Sequence, residues 1–292
     1  MKKLPKFLLA IAICVAACIA FSVAGVCVMS AEKRSFPPAG VYFANHEHSL
    51  FFSEKAYNPY FTLQVYEVKG GLSFLKCKEI RLRDENGKTY SLKDASIQTI
   101  FSDFYFASYR IACVLDRTDF TEPTATITQA VLLLPNGEEK LFFVGRINLD
   151  LTVGNGGDGL SYSGYTQSAS ELNSYNVKIV NNGLRDIYIT DLSFVIEGIE
   201  REPGYYDSEN VYREFGNGAL LRAGEEITLH CAFTGRDEFR LTPFCELKPA
   251  IYYRVGGEEK RSSVNGKSTY FALLGREEIK NYLRGIYEKF SV

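Results

Sequence analysis

The sequence contains one local cluster of metal-binding residue types, His46-Glu47-His48. On a strand, residues i and i+2 share a face, so the two imidazoles could hold a metal ion together. No third ligand stands near them, and the whole chain has only 3 histidines. We therefore interpret the cluster as a polar strand edge and expect no metal site and no cofactor.

Two other spacings are typical of catalytic motifs. Ser73-Phe74-Leu75-Lys76 has the spacing of a serine–lysine acylation motif, but its residues read as strand, and that chemistry needs a helix start. Gly266-Lys267-Ser268 matches the end of a phosphate-binding loop, but Arg261 stands where the first glycine is required. Neither motif predicts a catalytic residue, and we expect no enzymatic activity. An enzyme site assembled from distant strands remains a third-ranked alternative.

A tyrosine-rich stretch, Glu200 to Phe215, lies between predicted strands and is longer than a hairpin needs. Long loops on β-sandwiches often bind partners, and tyrosine offers rigid, amphipathic contact area. We predict a protein-binding surface here, with the alternative that these rings cover an open edge of the sandwich. The predicted contact residues are Tyr205, Tyr206, Tyr212 and Arg213.

Strands must position these candidates, because most of the chain alternates with period two. The segment Phe61 to Tyr66 is one example, and Asn86-Gly87 and Asn136-Gly137 supply the positive φ of tight hairpins. Residues 36–150 are predicted to form a first antiparallel β-sandwich domain. The Gly- and Ser-rich residues 151–168 predict a linker, and residues 169–275 predict a second β-sandwich domain.

The second domain carries a resemblance to a known class. Tyr175 to Gly183 reads as a strand ending in an Asn-rich turn, Ile187 to Val195 as the next strand, and Leu221 to Leu229 as a Gly-Glu entry into a later strand. Over residues 170–275 this pattern resembles bacterial surface immunoglobulin-like domains. The resemblance implies that Leu229 and Cys231 face a core with His230 opposite, and it implies a binding module or spacer. The chain has no tryptophan, so the Cys and Trp core hallmark of antibody-type domains is absent.

The chain ends in a predicted amphipathic helix over residues 276–292. Glu277 and Glu278 in its first turn and Lys289 in its last complement the helix dipole. Its apolar face could pack on the second domain, dock to a partner or lie on the membrane. The apolar positions have helical spacing and comprise Ile279, Tyr282, Leu283, Ile286, Tyr287 and Phe290.

The stretch from Phe7 to Met29 has no charged residue. At about 1.5 Å rise per residue it makes a helix of roughly 34 Å, enough to cross a hydrocarbon core of about 30 Å. It is too long for a cleaved signal, so residues 1–30 are predicted to be a cytoplasmic tail and an uncleaved transmembrane signal anchor. Val15-Ala16-Ala17-Cys18 resembles a lipobox, which keeps a lipoprotein anchored at Cys18 as the alternative.

The distribution of charged residues predicts the membrane orientation and the partners of the chain. Lys2, Lys3 and Lys6 precede the apolar stretch and only Lys33 and Arg34 closely follow it, which favours a cytoplasmic N-terminus and an extracytoplasmic remainder. The net charge is −2, so no nucleic acid partner is expected. Four cysteines beyond the stretch could form disulfides in an oxidising compartment, and spacing leaves this open. They are Cys77, Cys113, Cys231 and Cys245.

Together these patterns predict an all-β protein on a single membrane-spanning helix, with two tandem immunoglobulin-like sandwiches and a short C-terminal helix. The expected function is a non-enzymatic, membrane-anchored extracytoplasmic binding or structural protein. The alternative is an accessory subunit of a cell-envelope or secretion assembly that docks through the C-terminal helix. The membrane, through Phe7 to Met29, and one partner protein are the expected partners.

Overall fold

A computed structural model describes residues 6–53, 58–154, 159–163, 174–197, 199–207, 209–216, 218–234, 244–264, 266–271 and 274–290. These residues form 19 strands and two α-helices, so the all-β prediction is confirmed. Contacts divide the chain into two compact units. One unit comprises Met1–Ala39 with Leu274–Val292, and the other comprises Gly40–Leu273.

The first unit contains both helices, α1 (Lys6–Ser35) and α2 (Arg276–Phe290). The α2 helix begins where the Gly275 N–H donates to the Glu278 carboxylate at 2.6 Å, which satisfies a backbone donor at the helix start. Glu32 of α1 binds the first turns of α2, with its Oε1 2.8 Å from Arg276 and 3.6 Å from Lys280. The Lys280 ammonium also lies 5.4 Å from the centre of the Phe36 ring. The end of α1 and the start of α2 are therefore linked by charge.

The predicted apolar stretch, Phe7 to Met29, falls within the continuous helix α1. Over the part of the chain that the structure describes, neither helix meets the length and hydropathy expected of a membrane span.

The second unit is built around a ten-stranded sheet with the order β1-β3-β6-β5-β4-β7-β8-β2-β16-β19. Most neighbours are antiparallel, but β2 is parallel to both β8 and β16. The prediction of purely antiparallel sheets is wrong at this point, because β16 comes from the far end of the chain and enters beside β2. The strands are β1 (Gly40–Phe43), β2 (His46–Ser53), β3 (Tyr60–Val68), β4 (Glu79–Asp84), β5 (Thr89–Ser102), β6 (Phe106–Leu115), β7 (Thr124–Leu133), β8 (Glu139–Val153), β16 (Phe244–Lys248) and β19 (Ser268–Phe271).

Two smaller sheets follow in the same unit, a five-stranded one with the order β13-β12-β15-β10-β9 and a four-stranded one with the order β14-β11-β17-β18. The five-stranded sheet contains β9 (Leu160–Ser163), β10 (Ser174–Asn181), β12 (Glu200–Tyr206), β13 (Tyr212–Glu214) and β15 (Glu226–Thr234). The four-stranded sheet contains β11 (Ile187–Ser193), β14 (Ala219–Leu221), β17 (Ala250–Val255) and β18 (Glu258–Ser263).

The apolar residues of the second unit form two main clusters. One gathers the inner residues of the ten-stranded sheet, such as Leu63, Ile111 and Ile147. The other lies between the two smaller sheets, with Ile179 and Leu229 from one sheet and Ile251 from the other. Period-two alternation thus gives the sheets their buried faces. The alternation of β15 matches the expectation, because Leu229 and Cys231 are buried and His230 lies opposite.

Turn chemistry behaves as predicted in the first hairpins. Gly87 joins β4 to β5 with φ 84°, and Gly137 joins β7 to β8 with φ 86°. Such positive φ values are accessible to glycine without strain.

The structure also describes part of the predicted linker and the four cysteines outside the apolar stretch. The residues predicted as a linker, 151–168, include the end of β8 and all of β9, which pairs with β10. Residues 155–158 and 164–168 of that range lie outside the described residues. The cysteine pairings left open by the sequence are not formed, since Cys77, Cys113, Cys231 and Cys245 are free thiols. The domain boundaries remain predictions.

Candidate functional site

The tyrosine-rich stretch forms a hairpin of two short strands and not the predicted long loop. Strand β12 pairs with β15, and β13 pairs with β12 as the outer strand of the sheet. The Asp207 carboxylate organises the turn by accepting the N–H groups of Glu209 and Val211, each at 3.0 Å. These bonds, with the side-chain bond from Arg213, lower the pKa of Asp207. The hairpin therefore has a defined conformation at the edge of the five-stranded sheet.

The register divides the four predicted contact residues between two faces. Tyr205 stands opposite Arg213 and Tyr206 opposite Tyr212, so each pair shares one face. The Tyr205 ring stacks on Phe215 with centroids 6.0 Å apart and packs against the second apolar cluster. Arg213 Nε donates to Asp207 at 2.6 Å. Tyr205 and Arg213 therefore support the hairpin, and Tyr206 and Tyr212 point outward together.

A histidine that sequence reasoning did not select joins this outer face. The ring of His230 lies 5.4 Å from that of Tyr206 and 5.6 Å from that of Tyr212, and the two tyrosine rings are 5.7 Å apart. All three contacts are edge-to-face, the arrangement that ring quadrupoles favour. We call Tyr206, Tyr212 and His230 the outer aromatic cluster.

Gly204 makes room for this cluster. It stands opposite His230 on β15 and Glu214 on β13. A Cβ at this position would lie 2.7 Å from Cε2 of Tyr212 and 2.5 Å from the carbonyl oxygen of Arg213. The Tyr212 ring of the outer strand β13 therefore covers the glycine backbone of the neighbouring strand β12.

The polar groups of His230 and Tyr212 are neutral near pH 7 and hydrogen-bonded. His230 Nδ1 lies 2.7 Å from Oδ1 of Asn176, and burial lowers the pKa of this imidazole. Burial first, and then the carboxylates of Glu214 and Glu202, raise the pKa of Tyr212. A surface of phenol hydroxyls beside carboxylates suits a partner segment with apolar and basic side chains.

The His46-Glu47-His48 cluster has the predicted shared face, but it points into the protein. Both imidazoles are fully buried, with ring centroids 5.2 Å apart. No group of three metal-binding side chains suited to an ion occurs among the described residues. Burial, followed by the charge of His48, lowers the pKa of His46 to about 3, and burial lowers that of His48 to about 4. Both rings are therefore neutral near pH 7.

Each imidazole is fully used by backbone groups. His46 Nδ1 donates to the carbonyl of Val144 at 2.8 Å, and its Nε2 accepts the N–H of Gln64 at 2.8 Å. His48 Nε2 donates to the carbonyl of Thr62 at 3.0 Å. The two rings therefore hydrogen-bond to the backbone of Thr62 and Gln64 in β3. These residues lie just outside the segment Val65 to Val68, which pairs with β1. The role of the cluster is to join strands.

Glu246 of β16 completes this polar interior, and sequence reasoning missed it. Its backbone N–H donates to His48 Nδ1 at 3.0 Å, and its carboxylate accepts the N–H of Thr62 at 3.1 Å. Lys267 neutralises the carboxylate, with Nζ 2.7 Å from both oxygens. The sequence does contain a signal for this residue, because Glu246 is the one charged residue within the apolar run Phe244 to Leu247.

Glu47 points to the opposite face of β2 and is a separate case. Burial raises its pKa to about 7, against the opposing effect of the Arg146 guanidinium. Arg146 also pairs with Glu197.

The two motif spacings considered from sequence have structural uses. Ser73 Oγ donates to the Glu67 carboxylate at 3.5 Å, at the start of the short 3₁₀ turn Phe74–Lys76. Lys267 serves as the counter-ion of Glu246. The geometry therefore gives neither motif the partners that acylation or phosphate binding requires.

One cleft of about 180 Å³ opens beside β2, β7 and β8. Its lining is mainly polar and includes Ser49, Thr126, Asn148 and Asp150. The backbone of Val195 spans it, donating to Ser49 Oγ at 2.7 Å and accepting from Asn148 Nδ2 at 3.1 Å. These side chains hold the loop in place, which accounts for their polarity.

The chain matches no family model. Comparison with curated proteins also gives no match. Among solved structures it is similar to a protein of unknown function from Porphyromonas gingivalis W83, with 11% identity and a TM-score of 0.24 over 78% of this chain and 98% of that chain. It is also similar to cadherin-like domains 1 to 4 of zebrafish RET, with 8% identity and a TM-score of 0.26 over 80% of this chain and 51% of that chain. Likeness at this level carries no argument about function.

Proposed function

We propose that the protein is a membrane-anchored, extracytoplasmic binding protein that contacts a partner protein through its outer aromatic cluster. The observation that carries the proposal is the grouping of Tyr206, Tyr212 and His230 on an outward face at the sheet edge. Tyr212 is 40% exposed, so its ring offers contact area without rearrangement. Tyrosine side chains that become buried when a complex forms are typical of binding hot spots.

The membrane anchor in the proposal is α1. No helix among the described residues meets the criteria for a membrane span, so the support for the anchor comes from the full sequence, in which Phe7 to Met29 carries no charge, and from the exposure of several side chains of α1. Val15, Ile19 and Phe21 are 52%, 59% and 80% exposed. Burial of such side chains in lipid is favourable by about 25 cal/mol per Å² of apolar surface. The basic residues before the stretch favour a cytoplasmic N-terminus, and lipidation of Cys18 is the alternative form of anchoring.

The strand-rich unit serves in this proposal as the display scaffold. The two smaller sheets with their shared apolar cluster support an immunoglobulin-like identity for residues 169–275, while β16 and β19 of this range pair within the ten-stranded sheet. The proposal includes no catalytic step, since Ser73 and Lys267 are engaged structurally.

A site-specific photo-crosslinker tests the binding surface in the native membrane. A benzoyl-phenylalanine in place of Tyr212 should give one crosslinked species of defined mass. The matched control replaces Tyr188 of β11, which is similarly exposed at 43% on the other small sheet. No crosslink at Tyr212, or the same crosslinks from both positions, would overturn the proposed surface.

A second candidate function is that of an accessory subunit of an envelope or secretion assembly docking through α2. Its support is that Tyr287 of the apolar face is 38% exposed. Deleting residues 276–292 should then release a stoichiometric partner, whereas binding through the outer aromatic cluster should survive the deletion.

A further inference from the structure

The distal part of β5 is a sheet edge. Strand β5 pairs with β6 from Leu92 to Ser102, but it pairs with β4 only from Thr89 to Ser91. Beyond Ser91, β5 has β6 on one side and, among the described residues, no strand on the other. Its outer backbone groups there form a row of donors and acceptors suited to another strand.

This edge is apolar and exposed. Every residue from Lys93 to Ser102 is exposed, and Ile97, Ile100 and Phe101 are 41%, 45% and 46% exposed. Phe104, in the turn that follows, is 87% exposed. The run from Ala95 to Ser102 contains no charge, no proline and no glycine. Proteins normally protect sheet edges with charges, proline or bulges. The pairing of β5 with β6 shifts register between Leu92 and Asp94 and between Thr99 and Phe101, and the stretch between these shifts, Ala95 to Thr99, has none of these protections, which indicates an interface.

The row of backbone groups selects an extended strand as the occupant. We propose that the occupant is β5 of a second copy of this chain, paired antiparallel about a twofold axis. Antiparallel pairing of identical strands is self-complementary and closes after two copies. It brings Ile97 of the two copies together on one face of the joined sheet and Phe101 on the opposite face, because the register shift between Thr99 and Phe101 separates these side chains.

The charges at the strand ends fit the antiparallel arrangement. One end carries Lys93 and Asp94, and the other carries Asp103 with Lys69, whose Nζ lies 3.0 Å from Ser102 Oγ. An antiparallel copy brings the first end of one strand to the second end of the other. Each acidic side chain then has a basic partner within reach, while the apolar middle of each strand faces its copy. Opposite charges at the rim favour this orientation without dominating the affinity.

Light scattering of the full-length chain in detergent, from about 1 to about 100 µM, tests the proposal. Wild type should show a concentration-dependent dimer. Ile97→Lys should weaken dimerisation by at least about tenfold, since it puts a charge where the Ile97 side chains of the two copies meet. Leu184→Lys is the matched control, because Leu184 is 98% exposed elsewhere, and this variant should dimerise like wild type.

Two further measurements protect the test from a folding artefact. A peptide of residues 93–103 should dissociate the wild-type dimer without any change to the chain. Amides of residues 94–102 should exchange more slowly as protein concentration rises. A monomer at all concentrations, a dimer unaffected by Ile97→Lys and the peptide, or only polydisperse aggregates would overturn the proposal.

Discussion

The backbone N–H of Glu246 donates to Nδ1 of His48 over 3.0 Å, joining residues that stand almost two hundred positions apart. The same glutamate accepts the N–H of Thr62 through its side chain. One residue of β16 thereby ties β2 to β3, and its charge is balanced by Lys267 alone among the contacts described for it.

Removing the Lys267 counter-ion should destabilise the fold. Lys267→Met leaves the fully buried Glu246 carboxylate without its counter-ion, and we expect the free energy of unfolding to fall by about 3 to 5 kcal/mol. Denaturant unfolding measures the change. The double variant Glu246→Gln with Lys267→Met carries no charge and should recover most of the loss. Equal losses in the single and double variants would show that the charge is not the cause.

Acid should destabilise the protein through His46 and His48. Their pKa values fall from 6.5 in water to about 3 and about 4 in the fold. The unfolded chain therefore binds more protons between these values, so stability is complete above pH 6.5 and is lost as pH falls. Each ring both donates and accepts, and a second ring proton would face a backbone N–H. We expect a combined loss on the order of 3 to 5 kcal/mol by about pH 4.5.

Glu47 opposes this acid effect and offers a control. Its pKa rises from 4.5 to about 7 in the fold, so its contribution to stability grows as pH falls from 7 towards 4.5. Glu47→Gln should therefore steepen the acid loss measured by denaturant unfolding at several pH values. A shallower loss in this variant would contradict the raised pKa of Glu47.

Gly204 should tolerate no side chain. Gly204→Ala puts a Cβ against the Arg213 carbonyl and the Tyr212 ring, so β13 or the ring must move. We expect a loss of about 1 to 3 kcal/mol in unfolding free energy, together with weaker partner crosslinking from position 212. The control is Gly40→Ala, where the new Cβ would lie 3.9 Å from Tyr42 and is accommodated. Equal stability of the two variants would contradict the packing at Gly204.

A single tryptophan can test the anchor, because the chain contains none. In Phe21→Trp, the new indole should fluoresce at short wavelength in vesicles and be quenched by lipids brominated along their acyl chains. In Tyr188→Trp, the indole on β11 should not be quenched. If neither variant is strongly quenched, the membrane anchor must be removed from the proposed function. The proposed role of the outer aromatic cluster would not be affected.

Local patterns predicted local features well. Period two placed His46 and His48 on one face and buried Leu229 and Cys231 opposite His230. The burial of the two histidines could not be predicted, because their bonding partners at Val144, Thr62, Gln64 and Glu246 are distant in sequence.

The tyrosine-rich hairpin shows a second limit. Pro203 and Gly204 argue against a strand when only local propensity is considered. The existing strand β15 provides the template that pairs β12, and the glycine is required by the ring of Tyr212. Tertiary pairing therefore overrides local propensity, and Tyr205 and Tyr206 fall on opposite faces because a strand alternates where a loop need not.

The position of β16 delays folding during synthesis. Strand β2 emerges early from the ribosome, but its neighbour β16 begins only at Phe244, and β19 completes the sheet at Phe271. Until then the nascent chain exposes an open β2 edge with His48 lacking its bond from Glu246. Nearly all of the strand-rich unit must be translated before the sheet can close, and until then its open strand edges can associate with other chains. We therefore expect production of the protein to depend on chaperones that bind unfolded segments.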